Sequence, residues 1–80
     1  MTMEVKFPIL SRQAPDTEGV LATWFVSDGQ LVKQDELIAE VQVDKVSAEV
    51  RAPTAGRITL MVNAQDVVGQ DEAIAVIDWP

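Results

Sequence analysis

An all-β fold, a sandwich or barrel of short strands, is what this sequence predicts, and three observations carry the prediction. The apolar residues are mainly valine and isoleucine, whose branched side chains suit a pleated surface. They come in short runs separated by turn chemistry at intervals of about 8–12 residues, and no window sustains a helical period. The third observation is an internal repeat at a shift of thirty-six positions.

In chain order, Lys6 belongs to an edge strand near the N-terminus. Pro8-Ile9-Leu10 leads into Ser11-Arg12-Gln13-Ala14-Pro15-Asp16-Thr17, which is polar without alternation and reads as a surface loop before Glu18-Gly19. Residues 20–26 form the first clear run, closed by Ser27-Asp28-Gly29-Gln30, and residues 31–33 a brief second one, closed by Gln34-Asp35-Glu36. Leu37–Val43 and Val46–Arg51 flank Asp44-Lys45, a two-residue spacing that suits a tight hairpin. After the break at Ala52-Pro53-Thr54-Ala55-Gly56 come residues 57–62, then Asn63-Ala64-Gln65-Asp66, Val67-Val68, Gly69-Gln70-Asp71-Glu72 and the last run, Ala73–Asp78. Trp24 and Phe25 are adjacent, so in a strand they face opposite sides, one toward the core and the other partly exposed.

The repeat lays residues 32–39 on residues 68–75. Val32/Val68, Gln34/Gln70, Asp35/Asp71, Glu36/Glu72, Ile38/Ile74 and Ala39/Ala75 are identical pairs, and Thr23 and Val26 fall on Thr59 and Val62. Gly19 meets Gly56 only after a one-residue slip, which a turn would absorb. Two halves, about 19–43 and 56–78, are expected around a pseudo-twofold axis, interlocked because neither buries its apolar face alone. Eighty residues suffice for one domain and one core.

Composition removes whole classes of function. Six basic residues against thirteen acidic ones, a net charge of −7, leave no electrostatic footprint for nucleic acid. Without cysteine there is no disulfide or thiolate, and without cysteine and histidine the usual ligands of zinc, copper and haem are missing. Ser11, Ser27 and Ser47 have no imidazole to activate them, so no catalytic residues and no metal site are expected. The duplicated Asp35-Glu36 and Asp71-Glu72 read as turn residues, since a calcium loop needs more oxygen ligands at close spacing. No apolar run approaches the roughly 20 residues of a membrane-spanning helix, and residues 1–6 lack the marks of a signal or transit peptide. The expectation is a soluble protein of a bacterial cytoplasm or a mitochondrial matrix, with an acidic surface that guides docking to larger partners.

Residues 40–50 link the two halves, with Asp44-Lys45 at the hairpin tip. Most lysines on turns only keep a surface soluble. This one stands at the centre of the duplication, and the matching place after the second copy is Trp79-Pro80, so the tip should project from the end opposite both termini. Here the chain resembles the lipoyl domains of the dihydrolipoyl acyltransferase (E2) subunits of 2-oxo acid dehydrogenase complexes, over about residues 8–77. The matching elements are Glu18-Gly19-Val20, Trp24-Phe25-Val26, Asp28-Gly29, Leu37-Ile38-Ala39-Glu40-Val41, Asp44-Lys45-Val46, Glu49-Val50, Ala52-Pro53, Gly56 and Ile74-Ala75-Val76-Ile77.

The resemblance implies a flattened β-barrel of two four-stranded antiparallel sheets, with lipoate covalently bound to Lys45 as N6-lipoyllysine. It implies that Gln42, Val43, Asp44 and Val46 shape and mark the turn. Ser11, Arg12, Gln13, Ala14, Pro15, Asp16 and Thr17 would then form the loop that a thiamine-dependent E1 decarboxylase recognises. The other implied partners are a lipoate ligase or lipoyl transferase, the E2 acyltransferase core and the flavin-dependent E3 dihydrolipoyl dehydrogenase; the isolated domain is expected to be monomeric. A rigid hairpin singles out one amine from Lys6, Lys33 and Lys45, and Lys33 has Gly69 as its repeat partner. A tethered arm replaces diffusion by a high effective concentration, and the redox sulfurs come with the cofactor.

The common family turn reads Glu-Thr-Asp-Lys-Ala, whereas this one reads Gln42-Val43-Asp44-Lys45-Val46. The glutamine resembles branched-chain complexes and the valine after the lysine resembles 2-oxoglutarate complexes, so the cognate complex stays open. Two alternatives stay open as well: a biotin carrier domain, whose turn reads Met-Lys-Met, and an unmodified barrel-sandwich module used for protein contacts.

Overall fold

A computed structural model describes residues 1–80. Its eight strands are β1 (Thr2–Lys6), β2 (Glu18–Trp24), β3 (Leu31–Val32), β4 (Leu37–Val43), β5 (Val46–Arg51), β6 (Gly56–Leu60), β7 (Val67–Gly69) and β8 (Ala73–Asp78). They form two four-stranded antiparallel sheets, ordered β1-β8-β6-β3 and β5-β4-β2-β7, in a molecule of 38 × 19 × 18 Å. The fold is the all-β flattened barrel that the sequence predicts. No helix is long and apolar enough to cross a membrane.

Strands related by the thirty-six-residue shift occupy equivalent places. β2 and β4 are followed outward by β5, as β6 and β8 are by β1, while the short strands change sides: β3 pairs with β6 and β7 with β2. Each half therefore completes the other half's sheet. Asp35 and Asp71, thirty-six residues apart, both take positive φ (67° and 69°) in equivalent turns. Their N–H groups donate to Ala52 and Phe7, the residues that leave the outer strands β5 and β1, both at 2.8 Å. The paired Asp-Glu motifs thus build turns.

The one-residue slip between Gly19 and Gly56 lies inside a strand and not in a turn. In β2 Leu21 pairs with Val41 but Thr23 with Glu40, leaving Ala22 as an extra residue, whereas in β6 Ile58 and Thr59 pair without interruption with Ile77 and Val76. Ala22 is a β-bulge. Its carbonyl, displaced from the ladder, accepts from Gln65 Nε2 at 2.7 Å. The strands also stop short of the expected limits at Val26 and Val62. The Phe25 and Met61 N–H groups make equivalent last rungs to the carbonyls of Ile38 and Ile74, and turns follow. Trp24 packs partly buried against the core with its Nε1 donating to the Val62 carbonyl, and Phe25 is exposed.

The core is one cluster that holds both members of each repeat pair: Ile38 and Ile74, Ala39 and Ala75, Val41 and Ile77, Val32 and Val68. The six residues of the first three pairs are fully buried. Each large aliphatic contributes about 1.5–3 kcal/mol of burial.

Phe7, also fully buried, locates the hairpin. A Cβ on Gly19 would lie 2.7 Å from the Gln42 carbonyl oxygen and 2.8 Å from Val43 Cγ2, and would press on the Phe7 ring. Only glycine lets Phe7 sit under the base of the β4–β5 hairpin. Phe7 follows one end of β1; at the other end the Met1 amine donates to the Trp79 carbonyl at 2.8 Å. The hairpin and the two termini therefore lie at opposite ends.

Candidate functional site

The β4–β5 ladder runs to its last pair, Val43 opposite Val46, so Asp44 and Lys45 alone make the turn. Asp44 takes φ 55°, in the left-handed range, while Lys45 is not among the positive-φ residues. Aspartate tolerates this left-handed geometry better than most side chains. Val43 is buried and pins the base, whereas Asp44, Lys45 and Val46 are exposed. The Gln42 side-chain Nε2 donates to the Asp44 carbonyl at 2.9 Å and ties the strand to the turn.

Exposure does not distinguish the three lysines, since Lys6 and Lys33 are also exposed. Placement does. Lys6 closes β1 beside a register shift, Lys33 stands in the turn after β3, and Lys45 alone sits at a hairpin tip. It has no ion-pair partner, so its ammonium is held by nothing but its own stem.

A groove of about 510 Å³ separates the hairpin from the segment between β1 and β2. Leu10, Ser11, Ala14, Thr17 and Glu18 line one side, and Val43, Asp44 and Val46 the other. Of the loop residues singled out in the sequence, Ser11, Ala14 and Thr17 meet the turn there, while Arg12, Gln13, Pro15 and Asp16 do not line the groove. Gln42 and Lys45 stand outside it as well. A similar groove at the terminal end, between Gly56, Arg57 and Asp78, Trp79, is its counterpart in the other half and carries no lysine.

One residue that the sequence did not mark as part of this site is Gln70. The sequence marks it only as a turn residue matched to Gln34, yet it is buried and hydrogen-bonded to the main chain of residues 10–17. The available signal was the unequal length of the two connections before Glu18 and before Gly56.

A two-sheet sandwich that displays a lysine at a two-residue turn, opposite its termini, is the architecture of a biotinyl or lipoyl attachment domain. The comparisons agree. The biotin/lipoyl family model, described as "Biotin-requiring enzyme", matches residues 3–77. The dihydrolipoyllysine-residue succinyltransferase component of the 2-oxoglutarate dehydrogenase complex of Cupriavidus necator is 42% identical over 77 residues, covering 95% of this chain and 18% of that protein. The dihydrolipoyllysine-residue acetyltransferase component of the pyruvate dehydrogenase complex of Zymomonas mobilis is 37% identical over 79 residues, covering 96% and 18%. The solution structure of the lipoyl domain of the 2-oxoglutarate dehydrogenase complex from Azotobacter vinelandii superposes with a TM-score of 0.78 at 32% identity, covering 96% of each chain. The chain belongs to the biotin/lipoyl family, as a lipoyl domain. It spans less than a fifth of the length of the two curated relatives.

Proposed function

We propose that residues 1–80 act as one lipoyl carrier domain, its halves at about 19–43 and 56–78 joined by the Asp44-Lys45 hairpin, with lipoate amide-linked to Lys45 Nζ. The observation that carries this reading is the exposed, unpaired amine at the tip of a turn whose backbone is fixed on both sides, in a chain of lipoyl-domain ancestry. The site fits the group: the amine is open to an attaching enzyme, and nothing around it would have to be displaced. When bound, lipoate supplies a dithiolane able to carry acyl groups and reducing equivalents.

The chain's own part is presentation. Val43 anchors the hairpin base, Gln42 holds the Asp44 carbonyl, and the turn sets the direction in which the Lys45 stem leaves the sheet. Carrying the arm on a rigid body keeps the dithiolane at a high effective concentration near each active site within reach. The domain is a carrier and not itself a catalyst. It is served by a lipoate ligase or lipoyl transferase and visits E1, the E2 core and E3 in turn. We assign it to a complex of the 2-oxoglutarate type, on the names of the Cupriavidus relative and the Azotobacter structure. Bacterial and mitochondrial relatives support a bacterial cytoplasm or a mitochondrial matrix as its setting.

Intact-mass measurement after incubation with lipoate, ATP and a lipoate ligase tests the attachment. The parent, Lys6→Ala and Lys33→Ala gain one lipoyl group and Lys45→Ala gains none; biotin with a biotin ligase adds nothing. A parent left unmodified removes the carrier reading in favour of a module used only for contacts. Reductive acylation of the lipoylated domain is expected to be fastest with the 2-oxoglutarate decarboxylase, and a preference for the pyruvate or branched-chain enzyme overturns the assignment of the complex.

A further inference from the structure

Gln70 is the single buried polar side chain of the molecule. All of its hydrogen-bonding capacity is spent on the connection between β1 and β2. Oε1 accepts from the N–H groups of Leu10 and Ser11, both at 2.8 Å, which fills its two lone pairs. Nε2 donates to the carbonyls of Thr17 at 2.8 Å and Ala14 at 3.1 Å, with Pro15 a longer third contact at 3.4 Å. One amide thus holds both ends of the loop.

Its repeat partner Gln34 is likewise followed by Asp-Glu but is exposed. The difference lies in the connection each one faces. Residues 52–55 join β5 to β6, whereas residues 7–17 join β1 to β2, and the additional chain folds over Gln70. A turn glutamine with no polar partner beneath that loop would be costly to bury, by about 1–3 kcal/mol for each polar group left unpaired. Gln70 therefore serves the loop, and the fold of the sandwich does not require it, since the half containing Gln34 forms the same turn without such contacts.

The loop it holds supplies Ser11, Ala14 and Thr17 to the groove whose other wall is Val43, Asp44 and Val46. We infer that Gln70 is a positioning residue: it locks the loop into one rigid surface with the Lys45 hairpin, and that surface is what an acylating 2-oxo acid decarboxylase reads. This rests on the lipoyl carrier reading for the partner, though not for the clamp itself.

Gln70→Leu removes both polar functions at nearly constant volume, and Gln34→Leu is its control. Q70L is expected to unfold cooperatively and to accept lipoate at the parent rate. Its KM for reductive acylation by the 2-oxoglutarate decarboxylase should rise about tenfold with kcat unchanged, and the Leu10 and Ser11 amides should exchange about tenfold faster. Q34L should match the parent throughout. A parent-like KM in Q70L, or Leu10 and Ser11 amides as protected as before, overturns the proposal, as does an equal fall in lipoylation and acylation. Should Q70L not fold, Gln70→Glu keeps the acceptor for Leu10 and Ser11 and loses the donor to Ala14 and Thr17. Its KM should rise with those two amides still protected, and a parent KM overturns the proposal. If the parent itself accepts no lipoate, the carrier reading fails while the exchange of Leu10 and Ser11 still decides the clamp.

Discussion

The Gln42 side chain and the Asp44 main chain are joined by a hydrogen bond, Nε2 to carbonyl oxygen at 2.9 Å, that crosses the neck of the turn bearing Lys45. A glutamate at this place, as in the common family turn, has no N–H to give and would set its charge beside that carbonyl. The exchange of glutamate for glutamine, which the sequence shows only as a lost charge, is also a gained contact.

Gln42→Glu is therefore expected to loosen the turn. The contact is exposed, so the loss should be small, about 0.5–1 kcal/mol in urea unfolding, with faster amide exchange at Lys45 and Val46. Lipoylation should slow by less than about tenfold. Unchanged exchange at both amides would show that the contact does not hold the turn.

Gly19 should tolerate no side chain. In Gly19→Ala the added Cβ meets the Gln42 carbonyl, Val43 and the Phe7 ring at once, so a loss of about 3 kcal/mol or more is expected, together with impaired lipoylation. Gly29→Ala is the contrast. Its Cβ meets nothing within 4 Å, and only the φ of 84° is strained, which costs about 1–2 kcal/mol and leaves lipoylation intact. Equal losses in the two variants would contradict the packing described for Phe7.

Asp44 pays a conformational cost for its φ of 55°. Asp44→Gly should be as stable as the parent or gain up to about 1 kcal/mol, whereas the β-branched Asp44→Val should lose about 1–2 kcal/mol. Thermal unfolding decides, and a valine variant as stable as the parent would mean that the residue is not left-handed.

Ile38 and Ile74 should be energetically equivalent. Both are fully buried and lie thirty-six residues apart, so Ile38→Ala and Ile74→Ala should each cost about 2–5 kcal/mol and differ by less than about 1 kcal/mol. Val67→Ala, at a position 63% exposed on the edge strand β7, should change stability by less than about 0.5 kcal/mol. Denaturant titration of the three variants is sufficient, and a large gap between the isoleucines would contradict the equivalence of the two halves of the core.

The parts of the fold that were legible in the sequence are those set by local chemistry and period. Leu37–Val43, Val46–Arg51 and Ala73–Asp78 are readable to the residue, because these β-branched runs end at Asp44 or within two residues of Pro53 and Pro80. The bulge at Ala22 was visible only as a slip of one residue. Nothing local distinguishes a slip absorbed in a turn from one absorbed in a strand, and the choice depends on which cross-strand pairs, Leu21 with Val41 and Thr23 with Glu40, remain in register.

The candidate site divides along the same line. By itself the sequence determined the all-β class, the doubled unit, the absence of histidine and cysteine chemistry, and Lys45 on a two-residue turn at the centre of the repeat. These follow from residue type and spacing along the chain. Tertiary structure decided that β3 and β7 change sheets, that Phe7 lies beneath Gly19, that residues 11–17 face the hairpin across a groove, and that Gln70 and Gln34, identical in the repeat, differ in burial. The physical reason is that a side chain's environment is set by what folds over it. The longer connection before β2 covers one glutamine and leaves the other in water.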